Sequence, residues 1–269
     1  MTTVEASDGV RLAVYAEGSG EQTVLLVHGY PDSHRVWDSV AQALVGAGFR
    51  VVRYDVRGAG GSGAPASRDG YRLDQLADDL FAVIDSVGGP VHLVGHDWGS
   101  IQAWHAATDL RAPGRILSFT SISGPSLDHA AAWFRRRLTR PTPRGVAQAA
   151  RQAGKSWYVA VFHIPGVAEL MVRRVFPSRA EDAVRGLELY RANFRSRRAP
   201  RLGTEVPVQV ITPTRDRYVS PSLAADDVHR WVPNTTRRSL DAGHWSALSP
   251  ETAALIATFA AAPQAQGHR

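Results

Sequence analysis

The chain has no cysteine among its 269 residues, a single lysine (Lys155) and only two methionines. With no thiols, disulfides, thiolate metal sites and cysteine nucleophiles are excluded. No apolar run approaches the ~18 residues that a membrane-spanning helix needs. The first residues show no basic region followed by an apolar stretch, so no secretory signal is expected. These absences fit a cytoplasmic protein, peripheral to a membrane at most. The net charge is +6, and nearly all of the positive charge is arginine, much of it between Arg135 and Arg201. A solvated basic surface is the first reading of that charge. An anionic lipid surface or acidic ligand comes next. Base-stacking and groove-reading motifs are absent, so nucleic acid comes last.

What is present has a clear order. Short runs at residues 24–27, 91–94 and 116–122, and a β-branched stretch at 49–56, each read as a strand. Between them, residues 37–45, 73–87 and 101–107 carry helical spacing of apolar residues. Strands alternating with helices predict a mostly parallel sheet covered on both faces. In such sheets the chemistry collects at the carboxyl ends of the strands, where this chain places Gly, His and Asp. The alternation stops at Pro125 and resumes near Val206, with strands at 206–211 and 237–240 and a last helix at 250–261. Residues 125–204 therefore read as a helical cap inserted into a core formed by 1–124 and 205–269, with 263–269 as a terminal tail.

The segment Gly95-His96-Asp97-Trp98-Gly99 follows a strand and precedes a helix. It has the G-x-nucleophile-x-G form of a nucleophile elbow, with aspartate in the central place. The same residues also fit an ordinary Asp at a helix N-cap. Downstream, Asp216 follows one strand and His244 follows another. Taken singly, these fit a turn aspartate and a loop histidine. Taken together, nucleophile, acid and histidine stand in the chain order of a hydrolase triad. Upstream, His28-Gly29-Tyr30-Pro31 places the Tyr30 N–H where it can join the Trp98 N–H as an oxyanion hole. His28 itself reads as a structural hydrogen-bonder.

In this order and spacing, the motifs HGYP, GHDWG, TRDRY and AGHW resemble the epoxide hydrolase branch of the α/β-hydrolase superfamily. The likeness extends over essentially the whole chain. It is strongest to the hydrolase half of actinobacterial proteins that fuse an epoxide hydrolase to a short-chain dehydrogenase; no dehydrogenase half is expected within these residues. The resemblance implies an α/β-hydrolase fold with a helical cap and two cap tyrosines that hydrogen-bond the epoxide oxygen. Tyr158, in Ser156-Trp157-Tyr158, and Tyr190, in Leu189-Tyr190-Arg191-Ala192-Asn193-Phe194, match the segments that carry them. His163 departs from the pattern, which more often has glutamine there. Trp133, Phe134, Trp157, Phe162 and Leu189 are expected to line an apolar pocket.

The expected activity is opening of a small apolar epoxide to a vicinal diol by Asp97, with water activated by His244, Asp216 holding the imidazole and no cofactor. An ionised carboxylate attacks an sp³ carbon without first losing a proton, which separates it from serine. Two alternatives stay open: a haloalkane dehalogenase with the same nucleophile, and a hydrolase-fold protein that binds a small molecule without turnover. Gly58-Ala59-Gly60-Gly61-Ser62-Gly63 matches G-x-G-x-x-G, but Ala64-Pro65 follows where a phosphate-binding helix must open. His92 and His96 lie on a strand and elbow and do not share a helical face. No nucleotide and no metal are expected.

Overall fold

In the computed structural model, which describes residues 1–194 and 200–262, eight strands form one sheet. They are β1 (Thr2–Glu5), β2 (Arg11–Glu17), β3 (Thr23–Val27), β4 (Arg50–Tyr54), β5 (Val91–His96), β6 (Ile116–Ile122), β7 (Val208–Pro213) and β8 (Thr236–Leu240). The spatial order is β1-β2-β4-β3-β5-β6-β7-β8. β1 and β2 pair antiparallel, as do β2 and β4, and every later pair is parallel. The first two strands were not read from the sequence, although β2 buries Leu12, Ala13 and Val14. β1 is largely exposed, so its residues carry little apolar pattern to read.

The core helices are α1 (Asp38–Gly46), α2 (Leu73–Val87), α3 (Trp98–Ala107), α9 (Pro221–Ala225) and α10 (Pro250–Ala261). Between β6 and β7 come α4 (Leu127–Thr139), α5 (Pro143–Lys155), α6 (Trp157–Phe162), α7 (Val167–Val175) and α8 (Ala180–Asn193). The helical insertion read from the sequence is thus the α4–α8 segment. Residues 195–199 of that insertion and the tail 263–269 lie outside the described residues.

Alternation along β3 sorts the core into two layers. Leu25 and Val27 join the cluster that holds Leu76, Leu80 and Trp104 of α2 and α3. Val24 and Leu26 point the other way, against Val40 and Leu44 of α1 and Ile256 of α10. All four side chains are fully buried, worth roughly 1.5–3 kcal/mol each. α2 buries Leu73, Leu76, Ala77, Leu80 and Ile84, a helical stripe of i, i+3, i+4, i+7 and i+11. It stops at Gly88, whose φ of +83° is a left-handed cap that glycine adopts without strain.

Candidate active site

The parallel strands deliver the chemistry to one edge of the sheet. Val27 pairs with Gly95 and His96 pairs with Ile122, so the ends of β3, β5 and β6 are level. Asp97 follows β5 directly and has φ +53°, ψ −124°. That strained conformation turns the chain from strand into α3 within one residue. Sequence reading started this helix later, at 101; it begins at Trp98. The turn needs its glycines. A Cβ on Gly99 would come within 2.1 Å of the Val27 carbonyl oxygen, and one on Gly95 within 2.5 Å of the Ser100 Cα. A Cβ on Gly29 would meet the Asp97 side chain at 2.5 Å, and one on Gly124 the Asp97 carbonyl oxygen at 2.1 Å.

Three of the expected residues meet here. His244 Nδ1 lies 2.9 Å from Asp216 Oδ2, to which it donates, and His244 Nε2 lies 3.6 Å from Asp97 Oδ2. Asp216 Oδ1 accepts from the N–H groups of Tyr218 (2.7 Å) and Val219 (3.0 Å). Burial alone would raise the Asp216 carboxyl, but the His244 hydrogen bond and these amides hold it below its ordinary value. For His244, burial works against the charged form. The bonds to Asp216 and Asp97 and the charges of both outweigh it, lifting the imidazole to about 9. Beneath it, His96 donates to the His244 carbonyl oxygen at 3.2 Å. Burial, then the neighbouring His244 charge, lowers His96 to about 4, so it packs as a neutral ring.

The other Asp97 oxygen, Oδ1, accepts from the Tyr30 N–H at 2.8 Å, which is the first expected oxyanion donor. The second, Trp98 N–H, belongs to the first turn of α3, where helix amides have no partner within the helix. His28 behaves as a structural group: Nε2 accepts from Val56 N–H and Nδ1 donates to the Gly29 carbonyl, both at 2.9 Å. His92 Nδ1 bonds Ser118 Oγ at 2.8 Å. In the glycine-rich loop, Gly61 N–H donates to Asp55 Oδ2 at 2.8 Å, so the loop wraps a carboxylate of its own chain.

Tyr158 and Tyr190 come from α6 and α8, with ring centroids 6.0 Å apart. Tyr190 packs on Trp98 at 4.9 Å and Tyr30 at 5.5 Å. Tyr158 packs on Tyr218 at 5.6 Å, and Tyr218 on His244 at 4.9 Å. Burial chiefly, and then the Asp97 charge among other neighbours, raises the Tyr158 phenol above its ordinary value. Tyr190 is raised by burial first, then by Tyr158 and Asp97. Both are therefore protonated and can donate.

The expected pocket divides. Phe162 and Leu189 are buried in the cluster with Tyr30, Trp98 and Tyr190. Trp157 is corrected: it is 60% exposed, because Tyr158 and Phe162, at i and i+4, take the inward face of α6. Trp133 and Phe134 lie apart from Phe162 and Leu189. They belong to a separate cluster with Ala149 and Leu223, where the Arg137 guanidinium lies 3.8 Å from the Trp133 ring centroid.

Sequence reading missed several supporting residues. Tyr218 and Trp245 fall inside the quoted TRDRY and AGHW motifs, where their aromatic character was the available signal. Trp245 packs on His244 at 4.9 Å, and its Nε1 donates to Asp32 at 2.8 Å. Arg179, just before α8, also pairs with Asp32. Gln152 had no signal. Its amide oxygen accepts from Ser220 N–H and its amide nitrogen donates to the Tyr218 carbonyl, both at 2.8 Å. Lys155 donates to the Asp216 carbonyl. Two residues of α5 thus grip the loop that carries Asp216.

A family model for the alpha/beta hydrolase fold matches residues 22–250. The chain belongs to that family. Among curated relatives of this α/β hydrolase is the "Probable oxidoreductase EphD" of Mycobacterium tuberculosis, 41% identical over 280 residues, which cover 91% of this chain and 46% of the relative. "Epoxide hydrolase A" of the same organism is 33% identical over 165 residues, 61% of this chain and 48% of the relative. The chain spans about half the length of these curated relatives. Among solved structures, the Bacillus megaterium epoxide hydrolase in complex with an inhibitor superposes with a TM-score of 0.77 at 21% identity, covering 96% of this chain and 98% of that one. That likeness shows a shared fold. Among the described residues no helix is long and apolar enough to cross a membrane.

Proposed function

We propose that this α/β hydrolase opens an apolar epoxide to a vicinal diol through an alkyl ester on Asp97. The observation that carries the reading is the pairing of one carboxylate with two kinds of proton donor. His244 lies on one side of Asp97, and the phenols of Tyr158 and Tyr190 feel its charge from the inserted helices. The core, 1–124 with 205–269, supplies the nucleophile and triad, and residues 125–204 act as a lid.

In the first step Asp97 Oδ2 attacks a ring carbon while Oδ1 stays on the Tyr30 amide. The carbon–oxygen bond breaks, and its electron pair goes to an oxygen that Tyr158 and Tyr190 protonate or hydrogen-bond. An alkoxide is a poor leaving group without such donors, and the lid excludes competing water. In the second step His244 Nε2 takes a proton from water, which attacks the ester carbon of Asp97. The Tyr30 and Trp98 amides receive the oxyanion while Asp216 stabilises the imidazolium; the intermediate then collapses, the imidazolium gives its proton to the departing alkoxide, and the diol leaves. The names of the epoxide hydrolase relatives support this assignment.

A dehalogenase needs a second halide donor beside Trp98. The tryptophans of the insertion do not favour that role: Trp157 faces solvent, and Trp133 packs in a different cluster. The test is to incubate the purified protein with a panel of epoxides and haloalkanes and assay both diol and halide. Diol from epoxides is expected. Halide without diol would establish the dehalogenase, and tight ligand binding with neither product would establish a binding protein.

A further inference from the structure

The charge of the chain is segregated. Residues 125–204 hold sixteen basic and five acidic side chains, a net +11, so the remaining residues carry −5 against the overall +6. The insertion is therefore strongly cationic on a core that is anionic. Several of its arginines are not spent on ion pairs. Arg144, Arg151 and Arg174 are exposed and have no carboxylate partner among the described residues.

The exposed apolar side chains follow the same division. Outside the insertion, the large ones are Met1, Leu110 and Trp245; within it are Leu138, Val146, Trp157, Ile164, Val167 and Leu170, among others. Trp157 is 60% and Leu170 65% exposed. They are not scattered. Trp157 and Ala160 stand at i and i+3 of α6, away from the inward Tyr158 and Phe162, and the exposed Ile164 follows just past its end. Pro165 and Gly166 then turn the chain, both exposed, into α7. α7 buries Ala168 and Val172, which leaves Val167, Leu170, Arg173 and Arg174 on its outer face. The result is an apolar ridge with a tryptophan at one end and arginines at the other.

A face of this composition, apolar in its body and basic at its edge, fits the headgroup boundary of an anionic bilayer. Tryptophan prefers that depth, and each arginine near the surface adds attraction that salt screens.

We infer that the outer face of α6 and α7 docks on an anionic lipid surface, and that the substrate is an apolar epoxide taken from the lipid phase. The second half of the inference rests on the proposed epoxide opening. α6 links the two: its inner side carries Tyr158, and its outer side carries the ridge. A docked lid places the site against the phase in which an apolar epoxide dissolves.

The experiment uses the full chain with vesicles of phosphatidylcholine alone and of phosphatidylcholine with phosphatidylglycerol. Co-sedimentation is expected only with phosphatidylglycerol and is expected to fall as salt rises. Leu170→Ser and Arg174→Glu lie away from the reacting groups, and each is expected to weaken binding about five-fold or more while circular dichroism melting stays as in wild type. Diol formation from a long-chain epoxide is expected to be faster in the anionic vesicles, an advantage both variants lose. Equal sedimentation with both vesicles, or unchanged binding by both variants, overturns the docking face. So does a dimer that Leu170→Ser dissociates, without lipid binding. Anionic vesicle binding with no diol from any epoxide supports the docking face and overturns the epoxide reading alone. Diol formation without vesicle binding does the reverse.

Discussion

Replacing Asp97 by asparagine removes a negative charge 3.6 Å from His244 Nε2 while keeping the side-chain volume and an acceptor for the Tyr30 N–H. At an effective dielectric constant of about 20, two unit charges at that distance attract by about 4–5 kcal/mol. One pH unit corresponds to about 1.4 kcal/mol, so the His244 midpoint falls by about three pH units. It starts at about 9, with burial opposed by the bonds and charges of Asp216 and Asp97. The Asp97→Asn variant should therefore titrate near about 6. The assay is an NMR titration of the imidazole C–H resonances, with His244 assigned by its loss in a His244→Gln variant. The sign matters for catalysis, because an ester on Asp97 neutralises the same charge. On the proposed mechanism, His244 would be a cation before attack and would become a competent base once the ester formed. A His244 midpoint that stays near 9 in the asparagine variant would refute this coupling, as would one already near 6 in wild type.

Other outcomes follow from the same geometry. Tyr158→Phe and Tyr190→Phe should each slow ester formation by about 10²–10³ and leave ester hydrolysis unchanged, as read by single-turnover kinetics on a chromogenic epoxide. Gln152→Leu strands the Ser220 N–H and the Tyr218 carbonyl, both bonded at 2.8 Å in the native protein. It should lower stability by about 2–5 kcal/mol in a denaturant melt and lower kcat more than KM, because the loop it holds carries Asp216. Lys155→Met removes one bond to the Asp216 carbonyl and should show the same pattern more weakly.

The elements and residues that could be read from sequence share a physical reason. β3 to β7 and the positions of Asp97, Asp216 and His244 are short-range signals: most of these strands read as apolar or β-branched runs, and the elbow needs glycines at fixed spacing. β1 escaped because an exposed edge strand carries no apolar pattern. The grip of Gln152 on the 218–220 loop escaped because it joins positions 66 and 68 residues apart, and nothing in the local sequence marks it. Trp157 was misplaced for a related cause. Composition says that tryptophans are present in the insertion, but the helix face decides which side each takes. Phe162 falls four residues after Tyr158 on the inward side, and Trp157 falls outside it. The resemblance supplied Tyr158 and Tyr190; periodicity alone would have left them as core aromatics.

The central claim is a covalent ester on Asp97. His244→Gln protein, mixed with an epoxide that wild type converts to diol, should gain the mass of one substrate, and peptide mapping should place that mass on Asp97. Absence of any adduct on that variant, or an adduct on another residue, would contradict the account.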